Sequence, residues 1–475
     1  MNRFLIIFRF EGRLLLRTPA MLVSLLVFTL IGCYALFSGS ATIKRQQAAI
    51  DSLHADYQHK YERVLARFHP ADTSAAAKRD STYAGMAVMV NYWLPQVAAN
   101  TPSAVAFMAV GQRDVYPYFV QVRSSVDYLD ASNAQLANPV KQLAGHLDFA
   151  FVITYLLPLL CIGMCYNALA QEKTAGTHSL LRLYGLGDAQ LARFKLLARY
   201  SFAAAMLVIL HLLALSMAGL GAIVAVGSFL GLSLLYLLFW MAAFYAIVCL
   251  ANEAMATALA MLAAWVAFVV VMPALSNTAL DVRHPVPLKA DIASYKRHAS
   301  ETIWATDQDT LVRQFLDNNV EFRPYYRPEL DERPWGDWAI AAYYDLLDRQ
   351  VTAYADTALQ PLERRTAASQ QLVRYNPVTL VQALYTELAG TSLRQQEFFE
   401  EQAAAFQRTW RRFIYRFQLT GTSLVPDDFQ TFPRFEPVPY RRHQQLFAWG
   451  AIAWAAYICL FLLLPHGWRS RRADR

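Results

Sequence analysis

The stretch from Phe149 to Arg182 decides the fold of this chain. An apolar run, Phe149 to Ala170, leads directly into the polar sequence Gln171-Glu172-Lys173-Thr174-Ala175-Gly176-Thr177-His178. An α-helix rises about 1.5 Å per residue, so about 20 apolar residues cross a hydrocarbon core about 30 Å thick. The run is long enough to span a membrane, and a second apolar run begins after Arg199. We therefore expect two membrane spans joined by a short, structured loop.

The composition of the whole chain agrees with a membrane location. Of its 475 residues, 56% are hydrophobic and 17% are charged, and the mean hydropathy is +0.23. This apolar content exceeds that of an average soluble domain. The net charge of +7 is spread beside the apolar runs instead of forming one basic block, which favours a membrane topology over a nucleic-acid partner. All five cysteines fall inside apolar runs, so the polar regions are expected to fold without disulfides.

Further apolar runs of similar length divide the chain. They predict a mainly α polytopic membrane protein with six transmembrane helices, an N-terminal interfacial helix and two large extracytoplasmic regions, the second mostly helical. The predicted divisions are the cytosolic interfacial helix 1–19, spans at 20–37, 148–170, 200–220, 228–250, 254–275 and 446–465, extracytoplasmic regions 38–147 and 276–445, a cytosolic loop 171–199 and a cytosolic basic tail 466–475.

The distribution of basic residues predicts the orientation of these spans. Arginine and lysine cluster before the first span, in the loop 171–199 and after the last span. By the positive-inside rule, both termini and this loop face the cytosol. The two long regions then lie on the extracytoplasmic side, and their own basic residues do not contradict this because long loops are exempt from the rule.

The N-terminal segment has the pattern of an interfacial helix. Arg9, Arg13 and Arg17 are spaced four apart among apolar residues, with Glu11 between the first two. A helix would place the arginines on one side, which suits a helix lying on the inner membrane surface. No small-residue cleavage site follows the first apolar run closely, so a retained span is favoured over a signal peptide.

Helix signals are strongest in the second polar region. Asn376 with Pro377 forms a helix start, Gly390 a stop, and Ser392 the cap of a following helix. On that helix aromatic residues from Phe399 to Phe417 repeat at intervals of three and four. Burial against neighbouring segments is the commoner cause of such a stripe, and binding of an apolar substrate is the alternative.

Catalytic motifs are missing from the sequence. It contains no phosphate-binding P-loop, no nucleophile elbow, no His-Glu-x-x-His and no cysteine pair with metal-ligand spacing. We therefore expect no enzyme activity, no metal site and no cofactor in this chain. His211 is the clearest ionisable residue within a predicted span. It is either a functional group of the membrane region or a neutral histidine that hydrogen-bonds to a neighbouring helix.

The loop resembles a known coupling element. Glu172, Gly176, Thr177, Leu180 and Leu181 are similar to the Glu-x-x-x-Gly-Thr coupling loop of type-2 ABC exporter permeases. In this loop we expect an exposed Glu172, available to a basic residue of a partner, and a Thr177 that caps the helix beginning near His178. The resemblance implies that the loop docks onto a separate cytosolic ABC ATPase, present in two copies, which binds ATP and Mg²⁺. It also implies a second permease copy or a sister permease, and a place among the lipids of the bacterial plasma (inner) membrane.

A second resemblance covers the region before the last span. The chain is similar there to a domain of unknown function inserted in one branch of those permeases. The residues that carry this likeness are Tyr375-Asn376-Pro377, Leu384, Ala389-Gly390-Thr391, Phe398-Phe399, Trp410-Arg411-Arg412 and Phe432-Pro433-Arg434-Phe435. The sequence departs from the family at Lys173 and Thr174, where an acidic or basic pair is more usual.

These observations predict the permease subunit of an ABC exporter, which couples ATP hydrolysis in a partner subunit to movement of an unidentified substrate. The competing interpretation is a membrane scaffold or signal transmitter that relays the state of the ATPase to a partner in the cell envelope. Only substrate-dependent stimulation of the ATPase separates the two.

Overall fold

A computed structural model of the chain describes residues 3–68, 74–124, 147–251, 253–285, 289–327, 336–440 and 444–473. These ranges are mostly helical and contain one two-stranded antiparallel sheet. The predicted mainly α class is therefore confirmed. Residue 252 of a predicted turn and the last two residues of the predicted basic tail lie outside the described residues.

The elements follow one another in this order. The first half of the chain forms α1 (Arg3–Arg17), α2 (Pro19–Leu65), α3 (Ala75–Gly85), α4 (Ala87–Trp93), β1 (Gln96–Ala99), β2 (Phe119–Val122), α5 (Phe149–Thr174), α6 (Thr177–Leu183) and α7 (Asp188–Ala218). The second half forms α8 (Ile223–Leu250), α9 (Ala254–Arg283), α10 (Lys289–Ala305), α11 (Gln308–Asn318), α12 (Asp337–Val373), α13 (Pro377–Ala389), α14 (Leu393–Thr420) and α15 (Gln444–Ala473).

Six helices in the described part of the chain are long and apolar enough to cross a membrane, namely α2, α5, α7, α8, α9 and α15. They coincide with the six predicted runs, as expected for a transmembrane protein. Helix α5 contains a π-helical segment, Val152–Leu156, and loosens into turns at 166–169. We call the end of this bundle that carries α6 the loop end, and the opposite end the domain end.

Helix α2 extends far beyond the apolar run that starts it. Its 47 residues correspond to about 70 Å of helix at 1.5 Å per residue. The first part packs in the bundle, whereas Tyr57 and Tyr61 near its end contact the core of a second body. Gly39 lies between these parts, where an added Cβ would meet the carbonyl oxygen of Phe107 at 2.1 Å. Glycine is therefore needed there for the backbones to approach.

The second body, which we call the polar domain, consists of the described residues of 44–124 and 289–440 apart from α13 and the segment 105–109, both of which pack in the core of the bundle. Two segments distant in sequence join within it. Trp410 Nε1 on α14 donates a hydrogen bond to Asn91 Oδ1 (3.0 Å), and Arg411 Nε donates one to the carbonyl of Ser124 (3.1 Å). The two polar regions, predicted as separate divisions, thus form one packed body.

The aromatic stripe of α14 lies in the core of the polar domain. Phe399, Phe406 and Trp410 are buried against α2, α4, the sheet and the segment after α14. Phe432 of that segment stands edge-on to Trp410, with ring centroids 5.3 Å apart. Burial is therefore the confirmed interpretation of the stripe. A second core forms where α10, α11 and α12 pack together with the end of α14.

Helix α13 departs from the predicted division. It belongs by sequence to the second polar region, yet Val381, Leu384 and Tyr385 are buried in the core of the apolar bundle. The predicted caps form as expected, since Asn376 Oδ1 accepts from the Val378 amide (2.9 Å) and Gly390 ends the helix with a φ of 70°. The capping residues Asn376 and Gly390 set where α13 begins and ends. The helix packs against the spans because this buries its apolar face.

Candidate functional site

Four charged side chains meet in the interior of the loop end. They are Glu11 of α1, Glu172 of α5, and Lys195 and Arg199 of α7, and each is at most 7% exposed. Lys195 Nζ donates a hydrogen bond to Glu172 Oε1 (2.6 Å) and lies 3.0 Å from Glu11 Oε1. Arg199 Nε donates to Glu11 Oε2 (2.9 Å). We call these four residues the charge cluster.

Helix geometry explains why the charge cluster forms. Lys195 and Arg199 are four apart on α7, so they lie on one face, a turn apart. Helix α1 runs along that helix, with Phe4 stacking edge-on against Phe194 at 5.8 Å between centroids. This packing brings the acidic side chain of Glu11 to the basic face of α7.

Arg199 also attaches α7 to the unwound end of α5. Its Nη1 donates to the Met164 carbonyl and to Asn167 Oδ1 (3.2 Å). The turns at 166–169 free backbone carbonyls that a regular helix would use internally. The arginine therefore supplies donors where the helix no longer does.

Electrostatic balance makes the charge cluster tolerable in the interior. Two carboxylates face two cations, so no net charge is buried. An intact buried pair adds little net stability, but removing one partner leaves an uncompensated charge and costs about 3 to 5 kcal/mol. The cluster thus resists separation of α1, α5 and α7 at this end of the bundle.

The loop after Glu172 is braced from within. Gly176 has a φ of 73°, which starts α6, and the Thr177 hydroxyl donates a hydrogen bond to the Glu172 carboxylate. Asp188 at the start of α7 accepts from His178 (3.0 Å between Nε2 and Oδ1) and pairs with Arg182 (3.3 Å). The loop is therefore a compact unit tied at both ends.

Two expectations about this loop need correction. Glu172 was expected to be exposed and available to a basic residue of a partner, whereas it is buried and paired with Lys195. Thr177 was expected to cap α6, but Gly176 occupies the cap position and Thr177 bonds Glu172 instead. Both differences arise because the α5 terminus turns its carboxylate inward, toward α7.

The other predicted loop residues divide between core and surface. Leu181 packs against the bundle core, while Leu180 is 57% exposed. Leu183 and Tyr184, which the sequence did not single out, are exposed at 84% and 75%. On α1 both Arg9 and Arg13 are exposed, opposite the buried Glu11. The loop tip thus carries an apolar surface, and α1 is amphipathic as predicted.

His211 takes part in a separate polar contact nearer the domain end. Its Nδ1 lies 2.8 Å from the Leu207 carbonyl oxygen, and its Nε2 lies 3.3 Å from Ser233 Oγ of α8. Ser233 Oγ is in turn 2.8 Å from the hydroxyl oxygen of Tyr385 on α13. His211 is thus hydrogen-bonded to a neighbouring helix, and through it to α13.

Sequence reasoning missed the basic half of the charge cluster. In the sequence, Lys195 and Arg199 indicate only the orientation of the spans, although their four-residue spacing at the start of an apolar run is a visible signal of a shared face. Ser233 and Tyr385 carried no such signal. Among the residues that the structure describes, no group of three or more His, Cys, Asp or Glu is placed to hold a metal ion.

Comparison with known proteins adds one family match. Residues 290–438 match the model of a domain of unknown function, DUF3526. The match falls within the predicted division 276–445 and ends before α15. A search of curated proteins finds no match to the chain. The resemblance implied a domain of unknown function before the last span, and this part of it is confirmed.

Proposed function

We propose that this chain is the permease subunit of an ABC transporter of the exporter type, driven by a separate ATPase that binds the loop between α5 and α7. The observation that carries the proposal is the charge cluster, because it joins the loop to two other elements through buried contacts. Lys195 holds Glu172 of the loop and Glu11 of α1 at once. Motion of the loop would therefore move α7 and α1 with it.

Helix α7 offers a route from the loop to the domain end. Lys195 and His211 lie sixteen positions apart on this helix, which corresponds to about 24 Å at 1.5 Å per residue. At the far position, His211 and Ser233 connect α7 to Tyr385 of α13. A displacement begun at the loop would travel along α7 to α13, which is joined in sequence to α12 and α14 of the polar domain.

The loop tip has the properties of a docking surface for a folded protein. Leu180, Leu183 and Tyr184 expose apolar area there, and clustered exposed apolar residues are typical of interaction sites. A Cβ added at Gly176 would meet nothing within 4 Å. A larger side chain at this position would occupy the space of a partner and touch no other part of the chain, although any side chain strains the positive φ of 73°.

The remaining features of the proposal follow from the resemblance and, for the orientation, from the distribution of basic residues. Two ATPase copies would bind ATP and Mg²⁺, and a second permease copy or sister permease would complete the path across the bacterial inner membrane. Both termini and the loop would face the cytosol, and the polar domain would lie outside. A scaffold that relays the state of the ATPase would use the same loop, so loss of docking alone does not distinguish it from a transporter.

The test compares ATPase recovery with wild-type chain, Gly176→Trp and Gly176→Ala. Both variants strain the positive φ equally, but only tryptophan adds bulk at the proposed interface. We expect Gly176→Trp to lose most of the co-purifying ATPase and its coupled turnover, and Gly176→Ala to keep both. Full ATPase recovery and turnover with Gly176→Trp would refute docking at this loop. If docking at the loop is supported, stimulation of ATP turnover by a translocated compound would favour the transporter over the scaffold.

A further inference from the structure

A cavity of about 650 Å³ lies where the polar domain meets the apolar bundle. Its walls come from the second half of α12, from α13, from the start of α14 and from the first turns of α5. Sites for small molecules usually measure about 300 to 1,000 Å³ and combine apolar walls with a few polar groups. The size and position of this cavity therefore suit a ligand that approaches at the edge of the membrane region.

The charged side chains that line the cavity differ in whether other residues of the chain already pair with them. Arg365 Nη1 pairs with Asp281 (2.6 Å), and Arg394 donates to Gln370. The Asp148 carboxylate accepts the backbone amides of Val110 and Phe151, each at 2.8 Å. The Glu387 carboxylate also lines the cavity, and it is buried and hydrogen-bonded to Tyr440. These four groups are held by other parts of the chain.

Arg374 and Gln382 differ from these groups. The Nε of Arg374 and the Oε1 of Gln382 are buried, and neither has a hydrogen-bond partner among the described residues. The Arg374 guanidinium lies 5.8 Å from the ring of Trp449, which attracts the cation but supplies no acceptor. A buried donor and acceptor left unpaired are costly, at about 1 to 3 kcal/mol each. A ligand with an acidic oxygen and a hydroxyl group would satisfy both.

The apolar part of the cavity lining includes residues of the spans. Phe151 and Tyr155 contribute from α5, and Leu446 contributes from the start of the apolar part of α15. An arginine beside membrane-spanning helices matches a molecule with an acidic head and an apolar tail. The geometry points to a binding site for an anionic amphiphile whose head carries hydroxyl groups, such as an acidic glycerophospholipid. Binding here does not require that the chain transport the ligand.

The test uses the full-length chain purified in a neutral detergent. It is titrated with a short-chain phosphatidylglycerol, with phosphatidylcholine of the same chain length, and with inorganic phosphate. The bound ligand per chain is measured by mass, and affinity by the shift in thermal stability. The variants are Arg374→Gln and Ser369→Trp, which alter or fill the cavity, and Arg408→Gln, an exposed arginine of α14 away from it.

We expect the affinity for phosphatidylglycerol to be at least about tenfold higher than that for phosphatidylcholine, since one charged hydrogen bond contributes about that factor. Arg374→Gln should weaken it by a similar factor, Ser369→Trp should abolish it, and Arg408→Gln should change nothing. Equal binding of the two lipids would overturn the acidic preference. Equally tight binding of inorganic phosphate would make this a site for a free anion. Unchanged lipid binding in Ser369→Trp would place the lipid elsewhere, even if Arg374→Gln failed to fold.

Discussion

Substitution of Lys195 by methionine is the sharpest test of the charge cluster. Methionine keeps most of the length of the side chain and removes its charge. The wild-type ammonium group is within 2.6 Å of Glu172 Oε1 and 3.0 Å of Glu11 Oε1. After substitution two carboxylates would face the single cation of Arg199, so one negative charge would be buried without compensation.

The magnitude can be worked from these contacts. A hydrogen bond to a charged group contributes about 1.5 to 3 kcal/mol, and Lys195 makes one such bond, to Glu172, beside its 3.0 Å ion pair with Glu11. Removing one partner from a buried ion pair costs about 3 to 5 kcal/mol. We therefore expect Lys195→Met to lower the free energy of unfolding by about 3 to 5 kcal/mol.

A double variant separates lost charge balance from lost packing. Lys195→Met combined with Glu172→Gln restores neutrality, leaving Glu11 paired with Arg199. Coupling between residues in one charge network is about 0.5 to 3 kcal/mol, so the double variant should be more stable than Lys195→Met alone. Lys173→Met on the same loop is exposed and should change stability by about 1 kcal/mol or less.

The assay is denaturant titration of the purified chain in mixed micelles, with unfolding followed by far-UV circular dichroism. The reasoning fails if Lys195→Met lowers the free energy of unfolding by less than about 1 kcal/mol. It also fails if the double variant is no more stable than the single one, because the loss would then come from packing and not from an unbalanced charge.

Three further predictions test other parts of the structure. Trp410→Ala should cost about 3 to 5 kcal/mol of stability because this ring is fully buried; an unchanged melting temperature in a thermal scan would contradict burial. Ser233→Ala should cost about 1 to 3 kcal/mol by stranding His211 and Tyr385, whereas Ser228→Ala on the same helix removes only an exposed bond to its own backbone and should be nearly neutral in the same scan. A cysteine placed at Ser74 should react with an impermeant maleimide in intact spheroplasts, and labelling only after permeabilisation would reverse the proposed orientation.

Much of this architecture was predictable because it depends on short stretches of chain. A run of about 20 apolar residues crosses a membrane whatever its neighbours are, so the six long apolar helices could be located from the sequence. The caps at Asn376 and Ser392 form through bonds to amides two or three residues away. The amphipathic pattern of α1 was likewise contained in the spacing of Arg9 and Arg13.

The sequence alone could not show which distant residues meet. Glu11 lies 188 positions from Arg199, and Asn91 lies 319 positions from Trp410. Whether a basic residue at a span end faces water or a buried carboxylate depends on how α1, α5 and α7 pack, and their charge pattern is the same in both cases. Helix α13 joined the bundle for a similar reason, since an amphipathic helix buries its apolar face against whichever surface the fold brings to it. Local periodicity and end signals therefore determined the helices, while long-range packing decided that Lys195 is a buried link and that Tyr385 reaches the spans.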